Sequence, residues 1–244
     1  MKKIIILTLI FSTLFIGCGD KPKNTQKNVY IVGMDDSDPP FSYRDASTNK
    51  LTGFEYDLIL EIAKRGKFKL ELVDVNFYSL IPQLVAENLD LALGTFTITE
   101  ERKELVNFSD SYLDSDIVVV GIKNNTKLQE AHPIYSIPKG SIFINYIKNI
   151  KNITIIEELQ YDKIIEKMHA HEIDYVLMDK ASAVSHCNSD SLLYIKNTIQ
   201  KTQIALAISK KISSEDLNRI NNIILELKQD GTIAILKRKY GITE

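Results

Sequence analysis

Arg102 is the side chain in this sequence that is best suited to hold an anion. Its planar guanidinium can grip a carboxylate through two parallel hydrogen bonds. Thr95 and Thr97 precede it at the end of a predicted strand, where hydroxyl and backbone N–H groups point into the cleft of an open α/β sheet. On spacing alone, a solvated helix arginine beside Glu101 explains Arg102 better. The residue type of Arg102 therefore indicates carboxylate binding, but its local sequence does not establish that role.

Two other positions combine a polar side chain with a predicted helix start. Asp179 ends an apolar strand and precedes a helix, which gives it an N-cap as its simplest structural role. Gly140 and Ser141 precede a helix predicted at residues 141–148, whose first N–H groups would favour a carboxylate. Simple capping explains Ser141 as well, and the two roles can coexist.

Composition excludes several classes of protein. The chain has 244 residues, of which 44% are hydrophobic and 25% charged, as in an ordinary globular protein. A net charge of -2 leaves no basic excess for a nucleic acid. The two cysteines form neither a disulfide scaffold nor, by themselves, a zinc site, and Cys187 is expected to be a lone thiol. His169 and His171 are two apart and do not share a helix face, so we expect no metal and no cofactor.

Short apolar runs alternate with helical patterns from residue 29 onward, which predicts an α/β fold with a parallel or mixed sheet. A helix is predicted at residues 56–65, with an apolar face and Gly66 as its stop. The continuous apolar run at residues 117–121 predicts a strand covered on both faces, and residues 204–208 predict another.

The first eighteen residues are predicted to be a targeting signal. Lys2 and Lys3 precede an apolar run at residues 4–16, which is too short to span a bilayer. The sequence FIGC at residues 15–18 resembles the lipobox of bacterial lipoproteins, although Phe15 replaces the usual aliphatic residue. This resemblance implies cleavage before Cys18 and its lipidation; plain secretion with a structural Cys18 is the alternative. Residues 19–27 would form a tether with a reach of about 15–20 Å, placing the domain outside the cytoplasm at a membrane surface.

Several motifs, in a fixed order, carry a resemblance to a known family. They are GFEYDL at 53–58, LIPQL at 80–84, TITEER at 97–102, NFS at 107–109, KGS at 139–141, IDYVLMD at 173–179, QDGT at 229–232 and KYG at 239–241. Together they resemble the polar amino-acid solute-binding proteins of bacterial ABC importers, family 3. The resemblance covers residues 28–241 and is closest to the binders of glutamine and of basic amino acids.

The resemblance implies a two-lobed periplasmic-binding-protein fold of the Venus flytrap kind, with two crossing hinge strands. Lobe 1 would comprise residues 27–112 and 205–244, lobe 2 residues 117–199, and the hinges would lie near 113–116 and 200–204. It further implies a monomer that binds a free polar L-amino acid, such as Gln, Arg, Lys or His, and delivers it to an ABC permease.

The family pattern also implies the ligand site. Thr97 and Arg102 would hold the ligand carboxylate, Asp179 its ammonium group, and Phe77 would cover its carbon chain. Asp35 matches a position that often meets a polar or cationic side chain. The full set of expected ligand-binding residues is Asp35, Phe41, Phe77, Thr95, Phe96, Thr97, Arg102, Ser141, Ile142, Met178 and Asp179.

Three residues depart from the family pattern and leave questions open. Ile142 and Met178 replace smaller or polar residues found in glutamine binders, and Asp38 stands where many relatives have an aromatic ring. Asp35 and Asp38 together would bias the pocket toward a cationic or amide side chain, unless Asp38 merely begins the turn at Pro39 and Pro40.

An enzyme on the same fold is the alternative to a binding protein. Periplasmic dehydratases acting on arogenate-like and cyclohexadienyl amino acids share this architecture, and Asp35 or Asp38 could supply a general acid or base. We expect the chain to bind rather than to catalyse.

Overall fold

The computed structural model describes residues 27–128 and 130–242. The predicted signal peptide, Cys18 and all but the last residue of the predicted tether lie outside the described residues. Among the helices of those two ranges, none is both long and apolar enough to cross a membrane.

Strands and helices alternate along the described chain, as an α/β fold requires. The strands are β1 (Val29–Met34), β2 (Ser37–Asp38), β3 (Ser42–Arg44), β4 (Leu51–Thr52), β5 (Lys69–Asp74), β6 (Leu91–Leu93), β7 (Asn107–Phe108), β8 (Leu113–Ile122), β9 (Ile134–Pro138), β10 (Thr154–Glu158), β11 (Tyr175–Asp179), β12 (Leu193–Ile204) and β13 (Ala207–Ile208). The helices are α1 (Phe54–Gly66), α2 (Phe77–Val85), α3 (Glu100–Leu105), α4 (Ile144–Ile147), α5 (Tyr161–His169), α6 (Lys180–Ser189), α7 (Ser214–Gln229) and α8 (Thr232–Lys239).

Two five-stranded mixed sheets organise two lobes. The first has the order β5-β1-β6-β13-β7, with β1 parallel to β5 and β6 and with β13 antiparallel to its neighbours. The second has the order β10-β9-β11-β8-β12, with β9 parallel to β10 and β11. A small sheet, β2-β3-β4, adjoins the first lobe. The predicted α/β class is confirmed.

Helix α1 shows how the sequence directs one local structure. Gly53 precedes it with φ of 127°, and a Cβ atom there would lie 2.2 Å from the carbonyl oxygen of Phe41, so only glycine fits. The predicted apolar face, which includes Leu58 and Ile62, is buried in the first core. The predicted stop was one residue early, because Gly66 is the last helical residue and Lys67 takes the left-handed conformation.

Strands β8 and β12 connect the two lobes. They pair antiparallel from Leu113 opposite Ile204 to Ile122 opposite Leu193. Leu113 and Ile204 belong to the core of the first lobe, whereas Ile122 and Leu193 belong to a core of the second. Strand β8 is longer than the strand predicted at 117–121. Residues 193–203 of β12 were not predicted as a strand, because most of them are exposed and lack an apolar pattern, and the strand predicted at 204–208 is divided between the end of β12 and β13. The hinge positions themselves remain a prediction.

Each lobe has its own apolar interior. Leu58, Ile62 and Ile224 are fully buried in the first lobe, and Val120 and Val176 in the second. Burying each such side chain contributes about 1.5–3 kcal/mol. These separate interiors leave the space between the lobes free for a site.

Candidate functional site

A cavity of about 50 Å³ lies between the two lobes, near the carboxyl ends of strands from both sheets. Ligands of open α/β sheets bind in this position. We call its first-lobe side the first wall, formed by Asp35, Ser37, Asp38, Ser42, Glu55, Phe77, Gly94, Thr95, Thr97 and Arg102. The second wall comes from the second lobe and comprises Pro138, Ser141, Ile142, Phe143, Leu159, Gln160, Tyr161 and Asp179.

The two walls touch directly. The hydroxyl of Ser182, in α6, donates to Oδ1 of Asp38 at 2.6 Å, and Nη2 of Arg102 donates to the carbonyl oxygen of Gly140 at 3.4 Å. A Cβ atom on Gly140, which has φ of 77°, would lie 3.2 Å from Cα of Tyr78 in the first lobe. These contacts join the two lobes across the cleft.

The structure brings most of the expected site residues together. Those lining the cavity are Asp35, Phe77, Thr95, Thr97, Arg102, Ser141, Ile142 and Asp179. Phe41, Phe96 and Met178 are buried but do not line it.

Strand alternation turns Met178 away, whereas Phe96 and Phe41 pack against other aromatic rings. Met178 immediately precedes Asp179 in β11, and successive strand residues face opposite sides; its side chain packs in a core of the second lobe. Phe96 lies between two threonines of the first wall and stacks behind Phe77, with ring centroids 5.2 Å apart. Phe41 packs edge-on against Phe54 at 6.3 Å.

Arg102 is held inside the cleft rather than in solvent, so the alternative of a solvated helix arginine is wrong. It is 6% exposed. Helix α3 begins after Thr99, whose hydroxyl accepts the Arg102 N–H at 3.2 Å, and Nη1 donates to the carbonyl oxygen of Thr97 at 3.2 Å. Burial lowers the pKa of Arg102 to about 10, and Asp179 opposes that shift. The guanidinium is therefore a cation at neutral pH, with further N–H donors besides those given to carbonyl groups.

Asp179 lies at the junction of β11 and α6 and makes no side-chain capping bond to that helix. Its Oδ1 instead accepts from the Ser115 hydroxyl at 3.2 Å. Burial raises the pKa of Asp179 to about 7, while hydrogen bonds from Ser115 and Thr95 and the charge of Arg102 lower it. The carboxyl is thus positioned for a cation rather than for the helix.

Glu55 is a first-wall residue to which sequence analysis gave no role. Its Oε1 accepts the Thr95 N–H at 2.9 Å and also the Tyr112 hydroxyl, whereas Oε2 is buried with no partner among the described residues. Burial raises the pKa of Glu55 to about 7. Helical spacing was the available signal, since Glu55 lies three and seven residues before Leu58 and Ile62, on the apolar face of α1.

Asp35 and Asp38 both line the cavity but make different hydrogen bonds. Oδ1 of Asp35 accepts from the N–H of Ser37 at 3.0 Å, and Oδ2 accepts from the N–H of Phe77 at 2.8 Å. The backbone oxygen of Asp38 accepts the N–H of Phe41 at 2.8 Å, which closes the predicted turn. The Asp38 side chain, however, faces the cavity and Ser182, so the turn explains only its backbone.

The helix predicted to begin at Ser141 does not begin there. The N–H of Ser141 donates to the carbonyl oxygen of Pro138 at 3.1 Å, and the only helix nearby is the short α4. An anion site at a helix N-terminus is therefore not formed at this position. The Ser141 hydroxyl is buried in the second wall with no partner among the described residues.

The charges around the cavity are unequal. Asp35, Asp38, Glu55 and Asp179 face a single arginine, Arg102. Besides Glu55 and Ser141, the hydroxyl of Ser42 is also buried there without a partner in the described residues. Such orphaned polar atoms cost free energy unless a polar molecule satisfies them. The cavity can therefore bind a small molecule that carries a carboxylate and at least one cationic group.

Other reactive side chains lie away from the cavity. Nε2 of His169 is 2.6 Å from Oδ2 of Asp190, and Cys187 is a free, partly buried thiol. Within residues 27–128 and 130–242, no group of three or more His, Cys, Asp and Glu side chains could hold a metal ion.

Comparison with known proteins agrees with this geometry. The family model described as "Bacterial extracellular solute-binding proteins, family 3" matches residues 30–243. A "Probable histidine-binding protein" of Campylobacter jejuni is 28% identical, over 99% of this chain and 100% of that protein. The "L-cystine-binding protein TcyA" of Bacillus subtilis is 26% identical, over 88% of this chain and 82% of that protein.

Solved structures share the fold. "An ancestral arginine-binding protein bound to arginine" superposes with a TM-score of 0.80 at 27% identity, covering 88% of this chain and 98% of that one. An ancestral amino acid-binding protein described as "a precursor of cyclohexadienyl dehydratase" gives a TM-score of 0.79 at 24% identity, covering 87% and 95% of the two chains. The two-lobed fold expected from the motifs is confirmed.

Proposed function

Because the chain belongs to the bacterial extracellular solute-binding proteins of family 3, we propose that it captures a free polar amino acid and delivers it to an ABC importer. One observation carries the proposal. The cleft brings Arg102 and Asp179 together, buried and of opposite charge, from different lobes. A free amino acid presents a carboxylate and an ammonium group about two bonds apart, so one such pair matches one zwitterion.

Each cleft residue then has a task in binding. Arg102, with Thr97 beside it, holds the ligand carboxylate through charge-assisted hydrogen bonds. Once its carboxyl group is ionised, Asp179 accepts hydrogen bonds from the ammonium group of the ligand. The ring of Phe77, backed by Phe96, covers the carbon chain of the ligand. The Ser141 hydroxyl gives the second wall one further hydrogen bond.

Closure of the cleft couples these contacts. The ligand first binds the first wall through Arg102 and Thr97, and closure then adds Asp179 and Ser141. The closed form is stabilised only by what the ligand contacts in both lobes. The permease would recognise that closed shape.

The ligand is proposed to be a polar amino acid with an amide or cationic side chain, such as Gln, Arg, Lys or His. The excess of carboxyl groups around the cavity supports this class. The names of the histidine-binding relative and of the arginine-binding ancestral structure support it too.

A thermal-shift panel of the twenty amino acids on residues 19–244 tests the function. A true ligand at 100 times its dissociation constant adds about 2.7 kcal/mol of stability. We expect a few polar amino acids to raise the midpoint of unfolding. If none does, the proposed function is wrong.

We further propose that the mature chain is a monomeric lipoprotein held outside the cytoplasm. The signal-like residues 1–18 and the lipobox ending in Cys18 support this. Replacing Cys18 with Ser should release the protein from the membrane fraction and abolish labelling with a palmitate analogue. Membrane retention without label would contradict the lipid anchor.

A dehydratase-like enzyme is the second candidate, favoured by the carboxyls enclosed in the cleft. Burial raises the pKa of Asp38 well above its ordinary range, as a general acid requires. Incubation with arogenate separates the candidates: loss of water and carbon dioxide from it supports an enzyme, and binding of amino acids without turnover supports a carrier.

A further inference from the structure

Asp35 lies between β1 and β2, and Asp38 is the second residue of β2. The contacts of Asp35 explain it without any ligand. Both its carboxylate oxygens accept backbone N–H groups, from Ser37 and from Phe77. The second bond joins the loop after β1 to the first residue of α2. Asp35 therefore positions the Phe77 ring that covers the cavity.

Asp38 has no comparable structural use for its carboxyl. Its backbone closes the turn, and the hydrogen bond that the structure gives its side chain comes from Ser182, across the cleft. Ser182 is 1% exposed and lies in the first turn of α6. The Asp38 carboxyl thus stands where the lobes meet and faces the cavity from the first wall.

The cavity lining contains more carboxyl groups than basic groups, and this excess bears on the charge of the ligand. The backbone groups of an amino acid bring one positive and one negative charge, so they leave the excess of carboxyls unchanged. The charges of Asp179, Glu55 and Asp35, all acidic, raise the pKa of Asp38 after burial has done so, and the buried Tyr161 lines the same cavity. Without a ligand, protonation of Asp38 relieves this repulsion, whereas a cation on the ligand side chain would favour its carboxylate form.

We propose that Asp38, rather than Asp35, selects the ligand by side-chain charge, its carboxylate pairing with the distal guanidinium or ammonium group of a basic amino acid. This inference rests on the proposed function and narrows its substrate class. Ser182 orients the carboxylate as the cleft closes, so charge selection and closure use one contact. The Asp38 side chain determines specificity, separately from Arg102 and Asp179, which hold the carboxylate and ammonium groups of the ligand.

Two pairs of matched ligands test the proposal by calorimetric titration of the full chain. L-Citrulline has the shape of L-arginine with a neutral urea group, and L-norleucine has the chain length of L-lysine without its charge. The wild type should prefer the charged member of a pair. Asp38→Asn should lower that preference about 10- to 100-fold, since it removes one charged hydrogen bond.

Two variants in the segment between β1 and β2 are the controls. Asp36 pairs with Arg44 at 2.5 Å and is not part of either wall, so Asp36→Asn removes the same charge and should retain the preference. Asp35→Asn should weaken the charged and neutral ligands by similar factors, because it loosens Phe77. Binding of a neutral ligand by Asp38→Asn shows that the variant is folded.

The proposal is overturned if the wild type does not prefer the charged ligands, if Asp38→Asn keeps the preference, or if Asp35→Asn alone loses it. These results leave the proposed function intact as long as some amino acid binds. The failure of all twenty amino acids to bind is the separate result that rejects the proposed function itself.

Discussion

The two walls of the cleft differ in charge. The first wall carries Asp35, Asp38, Glu55 and Arg102, whereas the lining of the second wall has Asp179 as its one carboxyl and includes no Lys, Arg or His. Much of the second wall is apolar, including Ile142, Phe143 and Leu159. In the proposed binding mode, recognition and enclosure are divided between the lobes. The first wall would hold charges before closure, and the second would exclude water and add one counter-charge.

Enclosure by an apolar wall also makes each charge matter more. A charge pair interacts more strongly as the effective dielectric constant around it falls. An unpaired charge in the same place costs more for the same reason. Substitutions in the first wall should therefore change binding more than those in the second.

Arg102→Ala should have the largest effect. It leaves the ligand carboxylate unpaired in the closed cleft and should cost about 2–5 kcal/mol of binding free energy, measured by calorimetry. Lys103→Ala is the matched control, because Lys103 follows in α3 and pairs with the exposed Glu100 at 2.8 Å. An unchanged dissociation constant in Arg102→Ala would remove Arg102 from the site.

Glu55→Gln should change the pH dependence of stability. The raised pKa of about 7 means that the folded state binds more protons than the unfolded state between pH 4.5 and 7. The ligand-free wild type should therefore lose stability as pH rises through this window, by on the order of 3 kcal/mol from Glu55. Glu55→Gln should flatten this fall in urea unfolding curves taken at several pH values. An identical fall in the variant would show that Glu55 is not its source.

Asp179→Asn tests the charge of the second wall. Loss of the charged hydrogen bond to the ammonium group should cost about 1.5–3 kcal/mol of binding free energy. Because the pKa of Asp179 is about 7, the wild-type affinity should rise from pH 6 to pH 8, and this rise should shrink in the variant. Glu166→Gln, in α5 of the same lobe, where the exposed Glu166 pairs with Lys163 at 2.7 Å, should behave as wild type. A loss equal to that of Arg102→Ala would break the proposed difference between the walls.

Ser141→Ala should have the smallest effect. It should lower the affinity for the ligand but raise the stability of the ligand-free protein. Affinity should fall by about 0.5–1.5 kcal/mol, the contribution of one hydrogen bond. The ligand-free protein should gain stability in chemical unfolding, because a buried hydroxyl without a described partner is removed. Unchanged affinity would mean that the ligand leaves this hydroxyl unused.

Sequence patterns predicted the parts of the fold that local periodicity encodes. The apolar face of α1 and the alternation of strands and helices are such cases. Strand β12 was underestimated because its long exposed stretch is stabilised by pairing with β8, a contact far away in sequence. A polar strand whose partner is distant has no local signal.

Site residues that belong to the family motifs could be predicted from the sequence. Whether a given side chain points into the cavity was harder to predict. Arg102 and Asp179 were identified through the family motifs, although local spacing favoured other roles for them. Met178 was placed in the site with its neighbour, yet strand alternation turns it into the core. Glu55 was missed because an acidic residue on an apolar helix face has meaning only once its surroundings are known.

The most direct test compares one bound amino acid with two of its derivatives by calorimetric titration. The methyl ester lacks the carboxylate charge, and the deamino analogue lacks the ammonium group. If Arg102 and Asp179 hold a zwitterion, each derivative should bind the wild type at least about tenfold more weakly. The ester should lose little in Arg102→Ala. An ester that binds the wild type as tightly as the free amino acid would contradict the account.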